Sequence, residues 1–282
     1  MILLTGATGT VGRLVAERLS GTGPLRLLTR RPPVTLAGPG IEVVRGDFDD
    51  PAGLRAALVG VRSALLITAN PLAPAQDRNF VAAARAAGVS QVVKLSAQAV
   101  TEPDAIDLIT QWQRENERLL RASGVAWTFL RPRAFMSNTL GWARSIREEG
   151  VVRALDGTAR NASVDPRDIA DVAVQALTDP ESHAGRAYAL TGPVAITPAE
   201  QTEILGDLLH RPLTFMELTE SQLLQALLAR YPEPMALALV ESAARGRGGG
   251  KAQVEPDVQE LLGRPGRGYR EWASEQLAEF GG

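Results

Sequence analysis

The sequence predicts a doubly wound α/β fold, a mostly parallel sheet of about seven strands with a smaller, mainly helical C-terminal region. Three observations carry that prediction. Short apolar runs alternate with helical patterns over the first two thirds of the chain, which is the order of a sheet covered by helices on both faces. The runs at 64–68 and 92–95 are unbroken, as strands buried on both faces are. A glycine-rich string, TGATGTVG, follows the first run directly and opens an amphipathic helix.

Ile2–Thr5 is the first strand, and the helix after it sets Val11, Leu14, Val15 and Leu19 on one face until Gly21 and Gly23 stop it. Leu25–Thr29 is the second strand and 41–44 the third. Asp50 before Pro51 is a cap with proline at the first helical position, and Leu54, Ala57 and Leu58 continue that helix. Residues 64–68 and 92–95 are the fourth and fifth strands, with an alanine-rich helix over 77–87 between them. A long helix over 109–122 ends at Ser123-Gly124, and the sixth strand over 125–130 closes at Arg131-Pro132. The pattern then loosens before a helix over 166–177 and a seventh strand over 187–191.

From Gly192 the chain reads as mainly helical. Thr197 and Glu200 have the spacing of a capping box, and Thr219 with Gln222 repeats it. The glycine- and arginine-rich stretch 245–253 reads as a mobile loop. The expected organisation is a dinucleotide-binding domain over 1–191 and a smaller helical substrate or partner region over 192–282.

With 45% hydrophobic and 22% charged residues, the composition is that of a globular protein. A net charge of −2 leaves no excess of cations for a nucleic-acid backbone, so nucleic acid is not an expected partner. Without cysteine there is no disulfide, thiolate nucleophile or cysteine metal site. No segment has the apolar length of a membrane span and the N-terminus is not a signal peptide, so no membrane association and a cytoplasmic location are expected.

In TGATGTVG, Gly6 turns the chain tightly, Gly9 lets backbone approach a pyrophosphate, and Gly12 lets the helix pack close to the strand. The helix N-terminus adds free N–H groups and partial positive charge, so Thr8, Thr10 and Val11 complete a predicted phosphate loop of Rossmann type. The Lys-Ser/Thr ending of a nucleotide-hydrolase loop is missing. NAD sites place an acid about 20 residues further on. Here Thr29, Arg30 and Arg31 stand in that place, and guanidinium groups suit a 2′-phosphate, so NADP(H) is expected over NAD(H). Asp47 and Phe48, past the third strand, are expected to flank the adenine.

The segments TGATGTVG, GDFDD, VVKLSA, WQRENERLLRASGVAWTFLRPRAFMSN, VDPRDIADVA, YALTGP and ELLGRP together make the chain resemble the NmrA-like family of atypical short-chain dehydrogenases/reductases. The resemblance runs over nearly the whole chain. It implies that Thr68, Ala69, Asn70 and Ser96 line the cofactor groove, with Pro132 and Arg133 at the nicotinamide end. It also implies that Phe135, Met136 and Asn138 face a small-molecule substrate, although Phe135 and Met136 equally suit a buried helix face.

Short-chain reductases of the common type protonate a carbonyl with a tyrosine that has lysine four residues on. Lys94 and Lys251 are the lysines here, and none of Tyr188, Tyr231 and Tyr269 has that spacing. His183 and His210 sit by turns and read as surface residues. Some relatives carry histidine where Gln113 stands, and an amide can orient a substrate but is no acid near neutral pH. Gln113 and Ser96 are therefore the catalytic candidates. Asp165 and Asp168 read as helix-start residues rather than metal ligands, and no metal is expected. The expected activity is NADPH-dependent reduction of an electron-poor quinone, iminium ion or enone, which needs no strong enzymic acid. A non-catalytic NADP(H) sensor and a nucleotide-sugar epimerase or dehydratase are the alternatives. A homodimer or a regulatory protein partner stays open.

Overall fold

The computed structural model describes residues 1–30, 38 and 40–282. Arg31, expected beside a 2′-phosphate, lies outside them. The chain forms two compact units: one of Met1–Val100, Gln111–Arg131 and Pro166–Tyr188, the other of Thr101–Thr110, Pro132–Asp165 and Ala189–Gly282.

In chain order the elements are β1 (Ile2–Thr5), α1 (Thr10–Leu19), β2 (Leu25–Thr29), β3 (Ile41–Arg45), α2 (Pro51–Ala57), β4 (Ser63–Leu66), α3 (Ala75–Ala86), β5 (Gln91–Leu95), α4 (Leu108–Ala122) and β6 (Ala126–Pro132). There follow α5 (Ala143–Glu149), β7 (Val151–Leu155), α6 (Pro166–Thr178), α7 (Pro180–His183) and β8 (Arg186–Leu190). The remainder comprises α8 (Pro198–Leu208), β9 (Thr214–Leu218), α9 (Glu220–Leu228), α10 (Glu233–Ala244), α11 (Asp257–Leu262), α12 (Tyr269–Ser274) and α13 (Leu277–Phe280). Among the described residues no helix is long and apolar enough to cross a membrane.

A seven-stranded sheet has the order β3-β2-β1-β4-β5-β6-β8. Neighbours from β3 to β6 pair in parallel, for instance Ile2 with Leu25 on one side and with Ser63 on the other. The order reverses between β1 and β4, and in such sheets ligands bind in the crevice beyond the strand ends at the reversal. Thr5 secures that point: its hydroxyl donates to Leu65 O at 3.0 Å and accepts from Ile67 N at 2.8 Å. The sheet packs on buried Leu54, Phe80 and Val81 of α2 and α3, while α1 and α6 pack together, joined by the Arg18–Asp171 ion pair. Pro51 opens α2 as expected, with Asp50 accepting from Ala52 N and Gly53 N.

The region 192–282 is mainly helical as expected, and the second unit adds a strand pair that the sequence did not reveal. β7 and β9 form a separate parallel pair, with Val151 opposite Thr214 and Leu155 opposite Leu218. Their five-residue lengths and charged members, Arg153 and Glu217, hide the alternation that marks a strand. The core here is built from Met136, Ile146, Val152, Leu205, Tyr269, Trp272 and Phe280. Both capping boxes form, at Thr197 and at Thr219. Within the stretch 245–253, read as mobile, Arg245 and Lys251 have polar partners. Arg245 pairs with Asp107 at 2.6 Å, Lys251 Nζ donates to Ser242 O, and Lys251 O accepts from Ala162 N at 3.0 Å. Polar anchors hold a segment that has too little apolar surface to pack.

Candidate active site

At the reversal point the first unit presents a loop suited to a pyrophosphate. Gly6 has φ +63°, in the left-handed region, and a Cβ there would lie 3.0 Å from Ile67 Cβ, so the turn and the packing both require glycine. A Cβ on Gly12 would come within 2.2 Å of Gly6 O, which shows how closely α1 approaches the loop. Gly9 is different. It has ordinary extended backbone, and a Cβ would meet only Gly6 O, at 3.3 Å, and otherwise enter open space. No side chain caps α1 and its first turn holds no acid, so the helix N–H groups are left for an anion. Thr8, Gly9 and Thr10 are exposed at this opening, whereas Val11 is core.

Further along the strand ends, Arg30, Arg45, Gly46, Asp47 and Asp50 line a cavity of about 350 Å³. Arg45 follows from register, since it stands opposite Thr29 on the neighbouring strand. Sequence spacing from the glycine loop alone does not find it. Asp50 is occupied capping α2, and Asp47 accepts from Asp49 N at 3.0 Å. Neither Arg30 nor Arg45 forms an ion pair among the described residues. Phe48 is half-buried and meets the edge of Phe80 at 6.0 Å between ring centroids.

Beyond β4 and β5 the polar residues form two buried clusters. Thr68 Oγ donates to Asp77 at 2.9 Å and accepts from Lys94 Nζ at 3.2 Å, while the Lys94–Asp77 ion pair spans 3.2 Å. Burial pushes the Lys94 pKa down, against the pull of Asp77. Ala69 and Asn70 are exposed after Thr68, and Asn70 turns the chain by accepting from Leu72 N. Ser96 Oγ donates to Glu117 at 2.7 Å, and Glu117 takes both forks of Arg131. On α4, Gln113 Oε1, Asn116 Nδ2 and Trp112 Nε1 are buried without a hydrogen-bond partner. Buried polar atoms are usually paired, so these three on one helix have hydrogen-bonding capacity left for a ligand or for water. The resemblance had singled out Gln113 but neither Trp112 nor Asn116, because nothing in the string WQRENE distinguishes a buried amide from a solvated one.

In the second unit, Pro132 is buried at the end of β6 and Arg133 is taken up by an ion pair with Glu102. Phe135 and Asn138 line a cavity of about 350 Å³. Met136 instead packs in the apolar core, 2% exposed, because the backbone pairing of Phe135 with Val164 alternates the side chains.

The comparisons agree with this geometry. Residues 6–180 match the NAD(P)H-binding family. A (4-alkanoyl-5-oxo-2,5-dihydrofuran-3-yl)methyl phosphate reductase of Streptomyces griseus is 56% identical over 99% of both chains. An NAD(P)H azoreductase of Xenophilus azovorans is 37% identical over 100% of this chain and 99% of its own. Among solved structures, the NADPH-dependent quinone oxidoreductase of Escherichia coli in complex with NADPH has a TM-score of 0.86 at 30% identity, covering 98% of this chain and 100% of that one. The chain belongs to the NAD(P)H-binding family, of the NmrA-like, atypical short-chain dehydrogenase/reductase type. It is an NAD(P)H-dependent reductase.

Proposed function

We propose that this reductase prefers NADPH to NADH and reduces the carbon–carbon double bond of an electron-poor, carbonyl-conjugated acceptor. The cofactor preference rests on Arg30 and Arg45, two guanidinium groups without carboxylate partners among the described residues, at the strand ends where a 2′-phosphate belongs. The acceptor class rests on what the two candidate groups, Ser96 and Gln113, offer to it. Ser96 spends its hydroxyl proton on Glu117, and Gln113 brings an amide. Tyr188 OH lies 2.8 Å from His183 Nδ1, and Tyr269 OH donates to Thr139 at 3.0 Å.

Bound NADPH supplies the hydride. The chain supplies position: the loop N–H groups hold the pyrophosphate, Arg30 and Arg45 the 2′-phosphate, and the amides of Gln113 and Asn116 orient the acceptor carbonyl. Conjugation spreads the arriving charge onto the carbonyl oxygen, so a water molecule suffices to protonate the product. The Streptomyces griseus relative is named for a 5-oxo-2,5-dihydrofuran bearing an alkanoyl group and a methyl phosphate, which is such an acceptor. Turnover with NADPH is expected on that compound and on simpler conjugated enones and quinones. Oxidation of NADPH by none of a broad acceptor panel would refute the reading.

A further inference from the structure

The cavity of the second unit that includes Phe135 and Asn138 has walls of unequal chemistry. Arg153, Arg160 and Lys251 line it, and no aspartate or glutamate does. The two arginines have partners, Glu149 at 2.5 Å and Glu200 at 2.7 Å. Lys251 has none of that kind. Its Nζ donates to Ser242 O and lies 3.3 Å from Ser242 Oγ, and no carboxylate pairs with it among the described residues. Asn161, also on the wall, buries Oδ1 without a partner. Opposite chemistry comes from Trp142, Ile196 and Leu223, which give the same cavity apolar walls.

We propose that this cavity binds an alkyl phosphate monoester, with the Lys251 ammonium as its principal partner, the Asn161 amide turned to donate, and the apolar wall against the ester's alkyl part. The proposal goes beyond the reductase reading above by assigning the residues that hold a phosphate monoester. A half-buried ammonium without a counter-ion is costly to keep, and an incoming oxyanion supplies that counter-ion. Burial lowers the Lys251 pKa to about 8; Arg245 and Arg133 push the same way, and Glu102 and Asp107 oppose them. An anion in the cavity restores the charged form, so binding takes up a proton above that pH and weakens as the pH rises through it.

Calorimetric titration of hexyl phosphate into the NADPH-saturated protein tests the site without turnover, with the cofactor's own phosphate sites filled. Binding is expected for hexyl phosphate and not for hexanol. Lys251→Met should weaken it on the order of tenfold or more and remove the alkaline limb, while Lys251→Arg keeps the binding without the limb, and NADPH affinity is unchanged in both. Lys251 and Lys94 are the chain's lysines, and Lys94 is fully buried, so acetylation of the wild-type protein provides a second readout independent of any variant. Hexyl phosphate should protect Lys251 from acetic anhydride. Equal binding by wild type and Lys251→Met, equal binding of hexanol, or no protection would overturn the proposal. Failure of turnover with intact phosphate binding would instead count against the acceptor class alone.

Discussion

At the scale of single residues, the three loop glycines do different work and should fail differently. Gly12→Ala drives a methyl group to within 2.2 Å of backbone that cannot move aside, so a loss of roughly 3 kcal/mol in unfolding free energy is expected. Gly9→Val meets only Gly6 O, at 3.3 Å from its Cβ, and otherwise points into open space. It should leave the melting temperature near wild type and abolish cofactor binding, as read by quenching of intrinsic fluorescence; normal binding by that variant would make the loop a mere turn. Arg30→Ala and Arg45→Ala should each weaken NADPH by on the order of 1–2 kcal/mol in calorimetry and leave NADH unchanged. Equal losses for both cofactors would remove the 2′-phosphate assignment. Arg45 shows why spacing alone was insufficient: its place beside Arg30 follows from the pairing of β2 with β3, a relation between strands rather than along the chain.

Among the elements, the strands of the large sheet were readable because each is a short apolar run between turn residues. β1 and β2 coincide with Ile2–Thr5 and Leu25–Thr29 as expected, and β6 runs on through Arg131 to Pro132. β7 and β9 were not readable, since a lone pair with a charged face has no repeating apolar signal and its partner lies some sixty residues away in sequence. The clamp between β5 and α3 was equally hidden, because Lys94 and Asp77 look like surface charges until both prove to be 1% exposed or less in their side chains. Lys94→Met leaves that carboxylate uncompensated and should cost about 3–5 kcal/mol in urea unfolding, with Asp77→Leu added to it recovering most of the loss. A similar loss in the double variant would mean that packing, not charge, sets the cost. The connection from α7 to β8 carries a pH dependence. Burial lowers the His183 pKa from 6.5, with Asp179 opposing, so the folded state favours the neutral ring. The unfolded ring protonates first as the pH falls. The stability that His183 contributes is therefore complete above about pH 6.5 and is lost as the pH drops through its folded pKa. An NMR titration should place the folded midpoint below 6.5, and a midpoint above it would reverse the sign.

For the whole molecule, the glycine loop could be read from sequence because it is local, a strand, three glycines and a helix start in succession. The proposed acceptor site could not, because its polar groups converge from distant segments, with Ser96 on one strand end and Gln113, Asn116 and Glu117 along α4. That convergence sets the kinetic expectation. Gln113→Ala should lower kcat by on the order of tenfold through looser substrate orientation, with no ionisation limb disappearing from the pH–rate profile. A limb present in the wild type and absent in the variant would show that an acid operates through this residue. The reaction itself is tested most directly by turning over the dihydrofuranone phosphate in ordinary water with NADPH deuterated on the transferred face. The account predicts a product with a single deuterium at the carbon β to the carbonyl and a solvent-derived proton at the α carbon. A product without deuterium, or with the label at the carbonyl carbon, would contradict it.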